Sequence, residues 1–372
     1  MKFRSERDSL AEAFAIASRA VSSRGSSPVL SGLLLHAEGN ELTVTGTDLD
    51  LAVKVRLEVI GIADGDTVVP ARLATDIVRS LEPGALTVEY LQTPQSTEYR
   101  VDIAAARSQF GIRAYPAVEY PTVSAVASPS ASLNAATLAE GLRQVVRASS
   151  SDDARPLLTG VLLTEFEGAL RLVATDSYRL ALRDLGEGSA LGGSADILVP
   201  ARALAELQRL TSSLDPEAEV GIAASANEIA FTTGKVTIST RLLEGTYPDY
   251  RQLIPESYPN QLVVGKESLL AALRRVRLLV RDNTTPVRLS MRSGGVDLSV
   301  TSQDGDASET VDGDYHGEDI TIAFNPTYLI EGIDAVLSDE VSIETTDASR
   351  PATVRSSEHA GFRYLLMPVR VA

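Results

Sequence analysis

An α+β fold of three repeated domains, each with two helices packed on antiparallel sheet, is predicted from three observations. The chain is 372 residues long, a helix-then-strands pattern recurs at near-constant offsets, and two proline-led helix starts match almost residue for residue. One hydrophobic core stops growing well short of this length, so about two or three domains of roughly 100–200 residues are expected. Apolar residues make up 44% and charged residues 23%, an ordinary globular balance. No apolar run approaches the ~20 residues that a membrane-spanning helix needs, so no membrane partner is expected.

The first helix of each repeat comes from apolar residues at i and i+4. Leu10-Ala11-Glu12-Ala13-Phe14 aligns with Leu138-Ala139-Glu140-Gly141-Leu142 and with Leu269-Leu270-Ala271-Ala272-Leu273, at offsets of 128 and 131. Alternating strand pairs follow: Gly32–Leu35 with Glu41–Val44, Gly160–Leu163 with Leu170–Val173, and Val287–Ser290 with Val296–Val300. The first two pairs end in Thr47-Asp48 and Thr175-Asp176, the third in Thr301-Ser302. Val69-Pro70-Ala71-Arg72-Leu73 and Val199-Pro200-Ala201-Arg202-Ala203 then run a strand into the second helix, with Asn325-Pro326-Thr327-Tyr328-Leu329 as a weaker third copy. More strands close each unit, giving the order β-α-β-β-β-α-β-β-β. Ser124–Ser132 and Pro255–Asn260 are linker-like. The expected domains are therefore 1–123, 133–254 and 260–372.

The formal net charge of −16 argues against nucleic-acid binding when taken alone. Its distribution argues otherwise. The six predicted helices (7–21, 70–82, 134–150, 200–213, 266–281 and 325–337) carry +4 and the remainder −20. Arg72 with Arg79, Arg202 with Arg209, Arg143 with Arg147, and the group Arg274, Arg275, Arg277 and Arg281 sit at spacings that share a helix face. Such a face attracts phosphates without reading bases. The sixth helix, with Glu331 and Asp334 and no basic residue, departs from the pattern.

Catalytic signals are sparse. The chain has no cysteine, and its three histidines, His36, His316 and His359, are scattered, so no metal cluster or serine–histidine pair is expected. Gly234-Lys235 and Gly265-Lys266 both lack the first glycine of a phosphate-cradling loop. Asp48-Leu49-Asp50, Asp152-Asp153 and Asp304-Gly305-Asp306 leave open a Mg²⁺-dependent nuclease or polymerase, although each lies in a predicted turn, where aspartate is common. The acidic total also leaves open a three-repeat scaffold that binds peptides but not DNA.

The opening Met1-Lys2-Phe3, Gly46-Thr47-Asp48-Leu49, Val69-Pro70-Ala71-Arg72, Ala174-Thr175-Asp176-Ser177-Tyr178-Arg179-Leu180, Tyr247-Pro248-Asp249-Tyr250-Arg251 and Tyr364-Leu365-Leu366-Met367-Pro368-Val369-Arg370 resemble the bacterial DNA polymerase III beta subunit from end to end. The resemblance implies the DNA clamp fold, a six-domain ring formed as a head-to-tail homodimer around duplex DNA, and a cytoplasmic protein of the replisome. It implies no catalysis, no cofactor and no metal. Partners would be the replicative polymerase alpha subunit, the clamp loader, translesion polymerases and mismatch-repair proteins, each docking a short linear motif. The pocket implied for that motif comprises Leu158, Thr175, Ser177, Tyr178, Arg179, Leu180, Pro248, Leu253, Leu365, Leu366, Met367, Pro368, Val369 and Arg370. By the same resemblance Arg24, Arg72, Arg155 and Arg202 face DNA, and Phe110 and Ile112 meet Leu278 and Leu279 at the dimer contact. Tyr178 and Gln252 depart from the residues frequent in the family, as do Pro156 and Leu157.

Overall fold

The computed structural model describes residues 1–22, 27–92, 99–123, 128–187, 196–281, 285–358 and 361–370. The first repeat runs β1 (Lys2–Glu6), α1 (Arg7–Ala17), β2 (Gly32–Glu38), β3 (Glu41–Thr47), β4 (Leu51–Glu58), β5 (Ile60–Ala63), β6 (Gly65–Pro70), α2 (Ala71–Ser80), β7 (Ala85–Gln92), β8 (Tyr99–Ala105) and β9 (Ser108–Arg113). The second runs β10 (Ala131–Asn134), α3 (Ala135–Val145), β11 (Gly160–Phe166), β12 (Ala169–Thr175), β13 (Arg179–Glu187), β14 (Ile197–Pro200), α4 (Ala201–Thr211), β15 (Glu219–Ala224), β16 (Glu228–Thr233) and β17 (Val236–Arg241). The third runs β18 (Asn260–Gly265), α5 (Lys266–Val276), β19 (Val287–Arg292), β20 (Gly295–Ser302), β21 (Gly305–His316), β22 (Ile320–Phe324), α6 (Pro326–Asp334), β23 (Glu340–Thr345), β24 (Ala352–Ser356) and β25 (Phe362–Leu366).

All six predicted helices form, at slightly shorter lengths. Leu10, Ala13, Phe14 and Ala17 bury one stripe of α1, and Leu269, Leu270, Leu273 and Val276 do the same on α5. Helix α6 is capped by Asn325, whose side chain accepts from Thr327 N and Tyr328 N, with Pro326 at the first helical position.

The expected three strands between helices are an undercount. Each repeat has a further strand there, β4, β13 or β21, reached through the turn at which the sequence pairs were taken to end. In the first repeat this strand bends at Val59 and continues as β5, which pairs with β1. In the third it stays continuous, so β21 pairs first with β20 and then with β18.

That added strand joins the sheets. Two compact units, Met1–Ala135 with Leu214–Leu242 and Ala136–Ser213 with Leu243–Ala372, each contain such a joint. In the first unit β4 pairs antiparallel with β17, from Leu51↔Thr240 to Val55↔Val236, making an eight-stranded sheet β10-β15-β16-β17-β4-β3-β2-β6. A five-stranded sheet, β5-β1-β7-β8-β9, belongs to the same unit. In the second unit β13 pairs with β25, from Arg179↔Leu366 to Arg183↔Phe362, within a twelve-stranded sheet.

The turn feeding each joint is built twice from one motif. Thr47 Oγ1 donates to Leu51 O and accepts from Leu49 N, while Asp48 Oδ1 accepts from Asp50 N and Leu51 N. Thr175 and Asp176 repeat these bonds with Arg179 O, Ser177 N, Tyr178 N and Arg179 N. Gly46 precedes the first copy because a Cβ there would lie 2.1 Å from Ala17 O. Gly46→Ala therefore forces α1 off the sheet, and a thermal scan should read a loss of about 1–3 kcal/mol, the usual cost of overpacking.

His36 on β2 faces Asp66 on β6 across the ladder, and Glu38 lies 3.8 Å from its Nε2. The Asp66 hydrogen bond, assisted by both carboxylates, raises the imidazole pKa above its usual value. A raised folded-state pKa stabilises below the unfolded value and ceases to do so as pH rises through the folded one. The stability advantage over His36→Gln should be present at pH 5.5 and absent by pH 8.5, and it should stay below about 1 kcal/mol because the pair is exposed.

Candidate functional site

The joint between β13 and β25 builds an apolar cluster on one face of its sheet. Leu162 of β11, Val173 of β12, Leu180 and Leu182 of β13, Leu198 of β14, Leu365 of β25 and Tyr250 of the later segment pack together, with Leu157, Leu243, Tyr247 and Ile254 against them. The segment after β17 crosses this face. Its Tyr247 hydroxyl accepts from Thr175 N at 3.0 Å, and burial pushes that phenol's pKa well up, so it stays neutral. Asp249 caps the short 3-10 turn Tyr250–Leu253 by accepting from Arg251 N, and its other oxygen accepts from Gln252 Nε2 at 2.8 Å. Beside it opens a depression of about 380 Å³ lined by Leu162, Leu198, Leu243, Tyr247, Pro248 and Tyr250 among others.

Around the cluster stand three exposed apolar side chains, Tyr178 (59% exposed), Leu253 and Met367. Tyr178 sits on the β12–β13 turn, and its carbonyl accepts from Met367 N at 2.9 Å, so the turn and the chain end are tied together. Pro368 and Val369 are half-buried, Val369 N donates to Ala323 O, and Arg370 is exposed. Leu158 is buried on the 3-10 turn Pro156–Thr159, and its amide donates to Arg155 O. Leu366 is fully buried. Tyr250, Tyr247, Leu162, Leu198 and Leu243 were not among the expected pocket residues; the Tyr247-to-Arg251 motif was the available signal for the first two.

Arg179 is spent on structure. Its side chain is 9% exposed, bonds Asp176 Oδ2 at 3.0 Å and Arg147 O at 2.5 Å, pairs with Glu331 of α6, and lies 4.2 Å from the Tyr328 ring centre. Burial opposes the charge, but Tyr364 and Glu331 outweigh it and hold the guanidinium's pKa above normal. Asp334, the other acid of α6, pairs with Arg147 at 3.2 Å and Arg143 at 3.9 Å. Arg143 also donates to Ala335 O. The acidic sixth helix thus answers basic residues of the second repeat, and Arg143 and Arg147 do not form a free helix face. Glu331→Ala removes one half-exposed charge partner and should cost about 1.5–3 kcal/mol by thermal scan, the range for a hydrogen bond to a charged group.

Among the residues expected to face DNA, Arg72 is 97% exposed and lies 3.9 Å from Asp76. Arg202 is exposed on α4. Arg155 is turned onto the pocket turn, donating to Ser177 Oγ, Asp176 O and Asp152 Oδ2. Arg24 lies outside the described residues. At the expected dimer contact, Phe110 and Leu278 are exposed, Ile112 is buried and Leu279 half-buried. One member of each acidic pair weighed as Mg²⁺ ligands is committed to a turn or an ion pair: Asp48 as above, Asp152 to Ala154 N and Arg155, and Asp304 to Arg281 at 2.6 Å.

Repeated two-helix, antiparallel-sheet modules joined edge to edge define a protein of the DNA-clamp fold. Family models agree: those for the N-terminal, central and C-terminal domains of the DNA polymerase III beta subunit match residues 1–124, 132–249 and 251–370. The beta sliding clamp of Streptomyces coelicolor is 35% identical over 384 residues, covering 100% of both chains. The sliding clamp of Bacillus subtilis superimposes with a TM-score of 0.93 at 28% identity over 100% of both chains. That of Bartonella birtlesii, solved bound to griselimycin, does so at 0.92 and 31%, again over 100% of both chains. The chain belongs to the DNA polymerase III beta-subunit family: it is a DNA sliding clamp for replication processivity and not a catalyst.

Proposed function

We propose that the chain acts as a head-to-tail homodimer of six domains, with boundaries at 1–123, 133–254 and 260–372, that encircles duplex DNA and holds partner peptides at the β13–β25 pocket. The supporting observation is the unfinished pattern of joints. The strand after the Thr-Asp turn meets the last strand of the following repeat twice, as β4 with β17 and β13 with β25. One further pair of such edges remains, the first half of β21 and the outer side of β9. A second copy supplies the match for each, and heterologous contacts of this kind make a ring where the rotation between copies closes. Carrying the register across sets residues 305–309 of one copy against 108–112 of the other, beside Phe110, Ile112, Leu278 and Leu279.

Within such a ring the helices carry the positive charge, with Arg72 and Arg202 the exposed candidates for phosphate contact and Arg24 the expected third. Contact with phosphates alone is sequence-independent and salt-sensitive, which suits sliding. The apolar cluster rimmed by Tyr178, Leu253 and Met367 suits short motifs from the replicative polymerase alpha subunit, the clamp loader, translesion polymerases and mismatch-repair proteins. An adaptable Met at the rim accommodates several sequences.

Light scattering should give twice the chain mass, and Phe110→Asp should give the single-chain mass with the fold kept by circular dichroism. Loaded protein should stay on closed circular DNA and leave once the circle is cut. Equal retention on both forms removes the encircling model.

A further inference from the structure

Ser177 occupies φ 79°, the left-handed region that a side chain with a Cβ disfavours. Its counterpart Leu49 sits at 85°, so the shape belongs to the Thr-Asp turn itself. The second repeat adds one thing. Arg155 Nη1 donates to Ser177 Oγ at 3.2 Å and to Asp176 O at 3.3 Å, while Arg155 Nε is anchored on Asp152 Oδ2 at 3.0 Å. One residue further on, the Tyr178 carbonyl accepts from Met367 N. The guanidinium therefore grips the strained residue next to a tie that aligns Tyr178 and Met367, two of the three exposed rim side chains.

We propose that Arg155 is a positioning residue of the partner pocket, bracing Ser177 in the strained left-handed conformation that the turn sets, so that Tyr178 and Met367 present a fixed rim to an apolar peptide. The proposal rests on the pocket reading above. Its physical content is that the clamp matters because residue 177 has a Cβ. Glycine adopts the same φ without strain and makes the clamp dispensable.

The test is a double-mutant cycle on the full chain, read by anisotropy of a fluorescent peptide copied from the clamp-binding segment of the same cell's replicative polymerase. Arg155→Ala should weaken binding by about tenfold, within what release of one strained residue permits, with mass and Tm kept. Arg155→Lys should behave like alanine, because a single ammonium does not reproduce the fork onto two acceptors and Asp152. Placed on Ser177→Gly, whatever affinity that variant has, the same Arg155→Ala change should cost less than about twofold, as expected when coupled residues are uncoupled. Unchanged binding in Arg155→Ala, or an equal loss in both backgrounds, overturns the proposal; the second result would mean that Arg155 touches the peptide directly. A wild-type chain that ignores the peptide overturns the pocket reading, and this proposal with it.

Discussion

A strand at a sheet edge leaves amides and carbonyls without partners, and β13 closes its edge on β25 from Arg179↔Leu366 to Arg183↔Phe362. The rest of the second unit follows from that ladder. It fixes where the chain end lies, and so brings Leu365 against Leu180 and Met367 against the Tyr178 carbonyl. It also carries Arg179 to Glu331 and Tyr328 of α6. Pairing of backbone gives register without much specificity, and the ion-paired Arg179 adds the specificity: an unanswered, largely buried guanidinium would penalise any slipped register.

The same joint explains the charge distribution. Arg143 on α3 and Arg147 in the 3-10 turn that follows it (Val146–Ala148) lie four apart, which reads as a solvated face, yet their acid, Asp334, is 187 residues beyond Arg147. Opposite charges drawn from two repeats are a tertiary fact with no local signature. The acidic α6 and the basic α3 are two halves of one arrangement, so the basic residues left to serve DNA are fewer than the helices carry.

Legibility in the sequence tracks periodicity. The helices were readable because Leu10 and Phe14, or Leu269 and Leu273, repeat at the helical interval and are buried. The strands flanking the Gly turns were readable by alternation. Strand β21 was not, because Gly305–His316 buries only Val311 among polar neighbours, and β18 covers only the second half of its outer side. Family motifs gathered residues 175–180, 248 and 365–370, since those sit in short contiguous runs. They did not gather Leu162, Leu198 and Leu243, which reach the cluster only through pairing of β11 with β14 and the crossing of the later segment. Arg155 was expected on the DNA path by resemblance alone, whereas its bonds depend on a turn 22 residues away.

Why only one joint should make an apolar pocket can be argued position by position. The two turns share their hydrogen bonds and their left-handed residue, and the two ladders share their register, so Leu51↔Thr240 stands where Arg179↔Leu366 does. Across the first ladder Ala52 faces Ser239, where the second has Leu180 facing Leu365. Arg241 follows where Met367 would stand. The cleft there is about 90 Å³ and is rimmed by Asp50, Glu228 and Arg241. Burying a leucine side chain contributes about 1.5–3 kcal/mol, whereas Ser, Thr and Arg offer a ligand hydrogen bonds that water already makes. The turn is the inherited frame, and the pocket is the set of apolar residues that one copy of the frame acquired.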